Sequence, residues 1–232
     1  TPEGEIITQI RHIESSEPNF DQLDYLNNLC RYVCQHTPDE NEMREKYLEV
    51  INREPQKRIT RYAAGIMGGT GFAVFFGCNL RDAVIAFIVS VMIVAVGDWL
   101  AKRESNLLVY NGILAFISEV IIIGALKMGI AEHPDRIMIG IVMLLISGLS
   151  TTNGIRDLLQ RDFISGFINI MNSFLGAAGI AFGIGLAIIL FHEGYSDHFI
   201  LNHSVPIQLL SCTVACTGFA LWFKIRGKQV WY

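Results

Sequence analysis

From Tyr62 onward, apolar residues run in long blocks separated by short charged breaks, whereas the residues before Tyr62 are polar and rich in Glu, Asp and Arg. A membrane-spanning helix needs about 20 mainly apolar residues. Six stretches approach that length: Tyr62–Cys78, Ala83–Leu100, Leu107–Ile130, Ile137–Leu149, Phe163–Phe191 and Val205–Phe223. The fourth is short unless it continues through Ser150. One such segment fits inside a soluble core; six in succession need lipid to cover them. The pattern predicts an all-α integral membrane protein, a polytopic helical bundle with a small, mainly helical N-terminal segment. In that segment Glu5–Ile13 alternates and reads as a strand. Phe20–His36 places Leu23, Leu26, Leu29 and Val33 near helical spacing with Asp21 in its first turn, and after Pro38 a second helix pattern spans Asp39–Asn52 through Met43, Tyr47, Leu48 and Ile51. This piece is too small for a large core of its own. The expected division is residues 1–61 as an N-terminal segment of a larger soluble domain, 62–191 as a five-helix bundle, 192–204 as a loop and 205–232 as a sixth helix.

Composition sharpens the picture. Charged residues make up 17% of the chain, against about 25% in soluble domains, which favours a membrane part. The basic residues then set an orientation. Lys57, Arg58 and Arg61, Lys102 and Arg103, Arg156 and Arg161, and Lys224, Arg226 and Lys228 all fall on one side, and only Arg81, Lys127 and Arg136 on the other. By the positive-inside rule the N-terminus is cytoplasmic and the protein is a multi-pass component of the cytoplasmic (inner) membrane. The net charge of −4 argues against nucleic acid as a partner. Cys30 with Cys34 and Cys212 with Cys216 stand one helical turn apart, but neither pair has the further Cys or His of a zinc site, so reduced thiols are expected. His192, His198 and His203 cluster before the sixth stretch and read as a polar loop; His12, His36 and His133 are scattered. No signal peptide opens the chain, and its abrupt ends suggest a fragment of a longer protein.

Several positions carry chemistry. Gly65 to Gly69 and Gly179 to Gly183 give the small-xxx-small spacing that lets membrane helices approach closely. Glu119 lies well inside the third stretch; an ionisable group at that depth costs several kcal/mol and is either a proton carrier or a neutral side chain bonded to a neighbouring helix. Asn111, two turns earlier, falls on a similar side. Asp98 beside Trp99 is either a second proton-coupling group or a solvated helix end. The densest polar stretch is residues 146–166. Gly148 and Gly154 weaken helix there, and Ser150, Thr151, Thr152 and Asn153 offer caps for a new helix beginning near Gly154. Two readings stand side by side: a capped cytoplasmic loop, or a broken helix whose N-terminus and Arg156 face a substrate carboxylate while Asp157 or Asp162 takes an ammonium or a proton. No nucleophile elbow, zinc-protease motif or P-loop occurs, so neither an enzyme nor a cofactor or metal is expected.

The stretch from Met143 to Gly166 resembles the signature of the threonine/serine exporter family, a T-N-x-I-R-D run followed by an aspartate and S-G. Gly148, Thr152, Asn153, Ile155, Arg156, Asp157, Asp162, Ser165 and Gly166 match it. Ser147 stands where the family usually has proline, and Arg161 where it often has glycine. Arg11-His12-Ile13 and the run Asp24–Arg31 resemble the end of the family's cytoplasmic domain, and the sixth stretch resembles the opening helix of its second half. The resemblance implies proton-motive-force-driven antiport that exports threonine and serine. From the chemistry of the residues themselves, Thr152, Asn153, Arg156, Asp157, Asp162 and Ser165 are expected to bind substrate and Glu119 and Asp98 to couple protons. The implied partners are the lipid bilayer, protons, the substrate and the remaining second half of the transporter; a homo-oligomer is compatible with it. Two alternatives remain: an exporter of succinate-like dicarboxylates, in which Arg156 and Arg161 supply two cations, and a non-transporting membrane scaffold or sensor.

Overall fold

The computed structural model describes residues 19–52, 57–104, 106–146, 148–191 and 205–225. Among them run α1 (Phe20–His36), α2 (Glu40–Ile51), α3 (Arg58–Phe75), α4 (Leu80–Leu100), α5 (Leu107–Lys127), α6 (Pro134–Leu145), α7 (Gly148–Leu159), α8 (Phe163–Phe191) and α9 (Val205–Trp222), with no strand among the described residues. The strand expected at Glu5–Ile13 and the histidines His192, His198 and His203 lie outside the described residues. The chain divides into two compact units, one carrying α1 and α2, the other α3 to α9.

In the first unit the Asn19 side chain accepts from the Gln22 N–H and starts α1, and Thr37, at φ 40°, ends it before Pro38. Glu40 and Glu42 sit in the first turn of α2, where the helix dipole favours negative charge. The two helices meet through the Tyr32 hydroxyl, which donates to Glu42 Oε1 at 2.8 Å, and through Lys46 Nζ, 4.3 Å from the Tyr32 ring centre. That bond to a carboxylate holds the Tyr32 phenol above its ordinary pKa. Val50 is the one buried side chain of α1 and α2, in keeping with a piece that has little core of its own.

In the second unit four described helices, α4, α5, α8 and α9, are long and apolar enough to cross a membrane, and α6 with α7 makes a fifth if the bent pair is one span. The first stretch of the sequence does form a helix, α3, but it falls short of that apolar standard, because Arg58 and Arg61 lie in its first turns and Gly65, Gly68, Gly69 and Gly71 carry no apolar side chain. It is instead the packed centre of its group, touching α9, α4 and α6. Each contact is backbone-close: a side chain at Gly69 would overlap Ser90 of α4, one at Gly218 of α9 would meet the Gly68 nitrogen at 2.6 Å, and one at Gly140 of α6 the Ala73 backbone at 2.6 Å. The second close seam joins α5 to α8. There Gly176, Gly179 and Gly183 fit against Leu107, Leu108 and Gly112, and Asn111, buried, donates from Nδ2 to the Gly176 carbonyl at 3.3 Å. The small-xxx-small pairs seen in the sequence thus both lie at helix seams, where dispersion contacts rather than water exclusion hold helices together.

Substituting Gly179 by leucine should force α8 off the Leu108 carbonyl and lower stability by about 1–3 kcal/mol, the usual cost of overpacking. Leucine at Gly185, where nothing stands within 4 Å of the new Cβ, should leave the melting temperature of the purified full-length protein unchanged; equal shifts for the two would refute the seam.

Candidate functional site

The long polar stretch of the sequence does not form a loop. α7 begins at Gly148, six residues before the expected start, so Ser150, Thr151, Thr152 and Asn153 lie within its first turns rather than in front of it. The Thr152 hydroxyl accordingly donates back to the Gly148 carbonyl at 3.0 Å instead of capping a later helix. The break lies earlier, between Leu145 and Gly148, where the axes of α6 and α7 differ by 53°. α6 ends there because Ile146 turns extended, at ψ 128°.

This break has a defined neighbour. Glu119 of α5 is only 1% exposed. It lines a narrow cavity with Ser118, Met138, Ile141, Val142, Leu145 and Ile184, which has about 10 Å³ of room for a water's centre, close to what one water needs. α6 has 12 residues, about 18 Å at 1.5 Å each, or roughly half the 30 Å hydrocarbon core. Leu145, its last residue, is in the cavity wall. The end of α6 and the buried carboxyl therefore meet at one cavity.

The other sequence-predicted residues gather at the far end of α7, where it turns into α8. Arg161, at φ 68°, makes the turn, and Asp162 caps α8, its Oδ1 accepting from the Ser165 N–H at 3.4 Å and its carbonyl from the Gly166 N–H at 3.0 Å. Asp157 is 15% exposed and tied to α8: its Oδ2 accepts from Ser165 Oγ at 2.9 Å and from Asn169 Nδ2 at 3.1 Å. Gly154 and Gly166 allow this, since a side chain at Gly154 would meet the Gly166 carbonyl at 3.0 Å. Arg156 is different. It is 65% exposed, 3.7 Å from the neighbouring Asp157 carboxylate, and leaves its guanidinium open to an incoming anion. Eight residues of helix, about 12 Å, separate Arg156 from the break. The structure thus brings Arg156, Asp157, Asp162 and Ser165 together, keeps Thr152 and Asn153 nearer the break, and sets Glu119 apart.

Asp98 belongs to neither group. At the C-terminal end of α4 it pairs with Arg61 of α3 at 2.8 Å, and Arg61 also lies 5.5 Å from the Trp222 ring of α9. The paired cysteines remain free thiols, with Cys212 and Cys216 sulfurs 4.0 Å apart.

The opposite end holds a network that reading the sequence missed. Asp82 of α4 is fully buried. Its Oδ1 accepts from the Glu132 N–H at 2.9 Å and the His133 N–H at 3.4 Å; its Oδ2 meets the Asn79 N–H at 3.4 Å and His133 Nδ1 at 3.1 Å. Asn79 and Asp82 form a reciprocal cap at the start of α4, and that three-residue spacing was the available signal. Asn169 was missed too, its only mark being an amide in an apolar run.

A sequence model of the ThrE family, described as "Putative threonine/serine exporter", matches residues 1–191. The "Threonine/serine exporter" of Corynebacterium glutamicum is 25% identical over 182 residues, covering 75% of this chain and 37% of its own length. The chain therefore spans little more than a third of that relative. No solved structure matches.

Replacing Asn169 by leucine removes one of the two α8 donors to the Asp157 carboxylate and should destabilise the full-length protein by about 1–3 kcal/mol. Thermal unfolding in detergent reads this; an unchanged midpoint would show that the bond carries no weight.

Proposed function

Because the chain belongs to the threonine/serine exporter family, we propose that it supplies the first membrane half of a proton-driven antiporter that exports threonine and serine. The observation that carries this reading is the α6–α7 break beside the buried Glu119. A helix that stops and restarts at the depth of an ionisable group gives a substrate the positive dipole end of a half-helix and a carboxyl able to exchange a proton. A membrane anchor or scaffold has use for neither.

In this reading the N-terminus is cytoplasmic. Arg61 places the start of α3 and the ends of α4 and α9 at one end of the bundle, and the expected basic breaks follow from that alternation. Arg156, exposed at the α7–α8 turn, captures the substrate carboxylate from the cytoplasm in a two-pronged hydrogen bond. Asp157 and Asp162, held by α8 and its cap, keep that turn rigid and supply the negative potential that favours a zwitterion over a dicarboxylate. The substrate then moves along α7 past Asn153 and Thr152 to the break, where the N–H groups of the first turn receive its carboxylate. A proton arriving at Glu119 from the opposite side completes the exchange. Asp98, paired with Arg61, steadies the cytoplasmic ends of α3 and α4; its direct part in proton coupling recedes.

Arg156→Ala in the full-length transporter should abolish efflux of preloaded threonine and serine while the protein still reaches the membrane. Efflux at the parent's rate would remove Arg156 from the path. Glu119→Gln should leave substrate exchange but make efflux insensitive to a protonophore. Retained protonophore sensitivity would assign coupling elsewhere, and efflux of succinate alone would replace the amino acid by a dicarboxylate.

A further inference from the structure

The Asp82 network joins three separate pieces of chain: the α3–α4 turn through Asn79, the start of α4 through Asp82 itself, and the α5–α6 connection through Glu132 and His133. A carboxylate with no solvent exposure is costly unless it is fully hydrogen-bonded, and here four donors surround it. Three are backbone N–H groups that no pH change alters. The fourth is the His133 ring, a quarter of whose side chain is open to solvent.

We propose that Asp82 and His133 form a proton-binding latch that holds the α3–α4 turn against the α5–α6 connection. Facing an ionised carboxylate, Nδ1 carries its hydrogen in either ring state. When the second ring nitrogen also takes a proton, a neutral hydrogen bond becomes a charge-assisted one to a buried anion, roughly twice as strong. Other charged groups stand around the pair. Arg81 and Glu132 pair with each other at 3.0 Å, with Asn79 Nδ2 adding a bond to Glu132 at 2.7 Å. Arg136 of α6 donates to the Gly77 carbonyl at 2.6 Å and also acts on the neighbouring Cys78. Asp135 and the Cys78 thiol stand nearby as well.

The latch deepens the exporter reading and rests on it for its purpose: a coupled proton must be taken up at the end away from Arg156, and this is that end. Met138 and Ile141 of the Glu119 cavity lie one and two turns further along α6 from His133. Release of the ring proton loosens the latch and lets the end open.

Cys78 makes the latch measurable without transport. It is 3% exposed and packs in one cluster with Ala131 and Ile137, which flank His133 in the chain. The experiment takes the purified full-length protein in nanodiscs, with every other cysteine replaced by serine, and follows N-ethylmaleimide labelling of Cys78 from pH 5 to 8. Thiolate formation alone raises the rate about tenfold per pH unit. The parent should show a further rise of at least about fivefold within that range, as the ring loses its second proton. His133→Asn keeps a side-chain N–H but cannot take a second proton, and should follow the thiolate slope alone. Asp82→Asn should label fast at every pH. Parallel profiles for parent and His133→Asn would overturn the latch, whether or not the protein exports amino acids, and that comparison stands even if Asp82→Asn does not fold.

Discussion

Within hydrocarbon an amide N–H or C=O has no water to turn to, so a chain that crosses it must satisfy every backbone group from within. That constraint accounts for the all-helical second unit, and it also gives meaning to the one place where the rule is relaxed. α6 stops at Leu145 and α7 restarts at Gly148 with a 53° change of direction. Leu145, where α6 stops, lines the same small cavity as the buried Glu119 carboxyl.

Close helix seams let such a break persist. α3 has too little apolar side chain to face lipid well, yet its glycines let α4, α6 and α9 reach its backbone. α8 does the same for α5 with Gly176, Gly179 and Gly183, then continues past the start of α5 to meet α7 at Gly154 and Gly166. α8 has 29 residues, about 43 Å at 1.5 Å each, well beyond the roughly 30 Å of a bilayer core. The excess carries the turn that presents Arg156. One long helix thereby links the exposed guanidinium at one end to the seam that runs toward Glu119.

Polar groups sort themselves along this axis. At one end Arg61 and Asp98 are paired and partly exposed, an arrangement worth little in stability because solvent screens it. At the other, Asp82 is wholly buried and held by four donors. The first arrangement tolerates movement; the second resists it until a donor changes its charge.

Local pattern determined several of the helices. α1 and the bounds of α8 follow from apolar spacing and from where polar residues interrupt it, since a helix in lipid is specified by its own side chains and by length. The residues for the α7–α8 turn were legible for the same reason: Arg156, Asp157, Asp162 and Ser165 are close in sequence, so any fold of that segment keeps them near one another. The depth of the break was not. Hydropathy places an end only within a few residues, and the shift of the start of α7 from Gly154 to Gly148 turned expected caps into interior residues. Nor did Asp82 and His133, fifty-one positions apart, announce each other. Each reads alone as an ordinary residue near a helix end, and only tertiary structure, by folding the α5–α6 connection over the start of α4, decided that one would bury the other's charge.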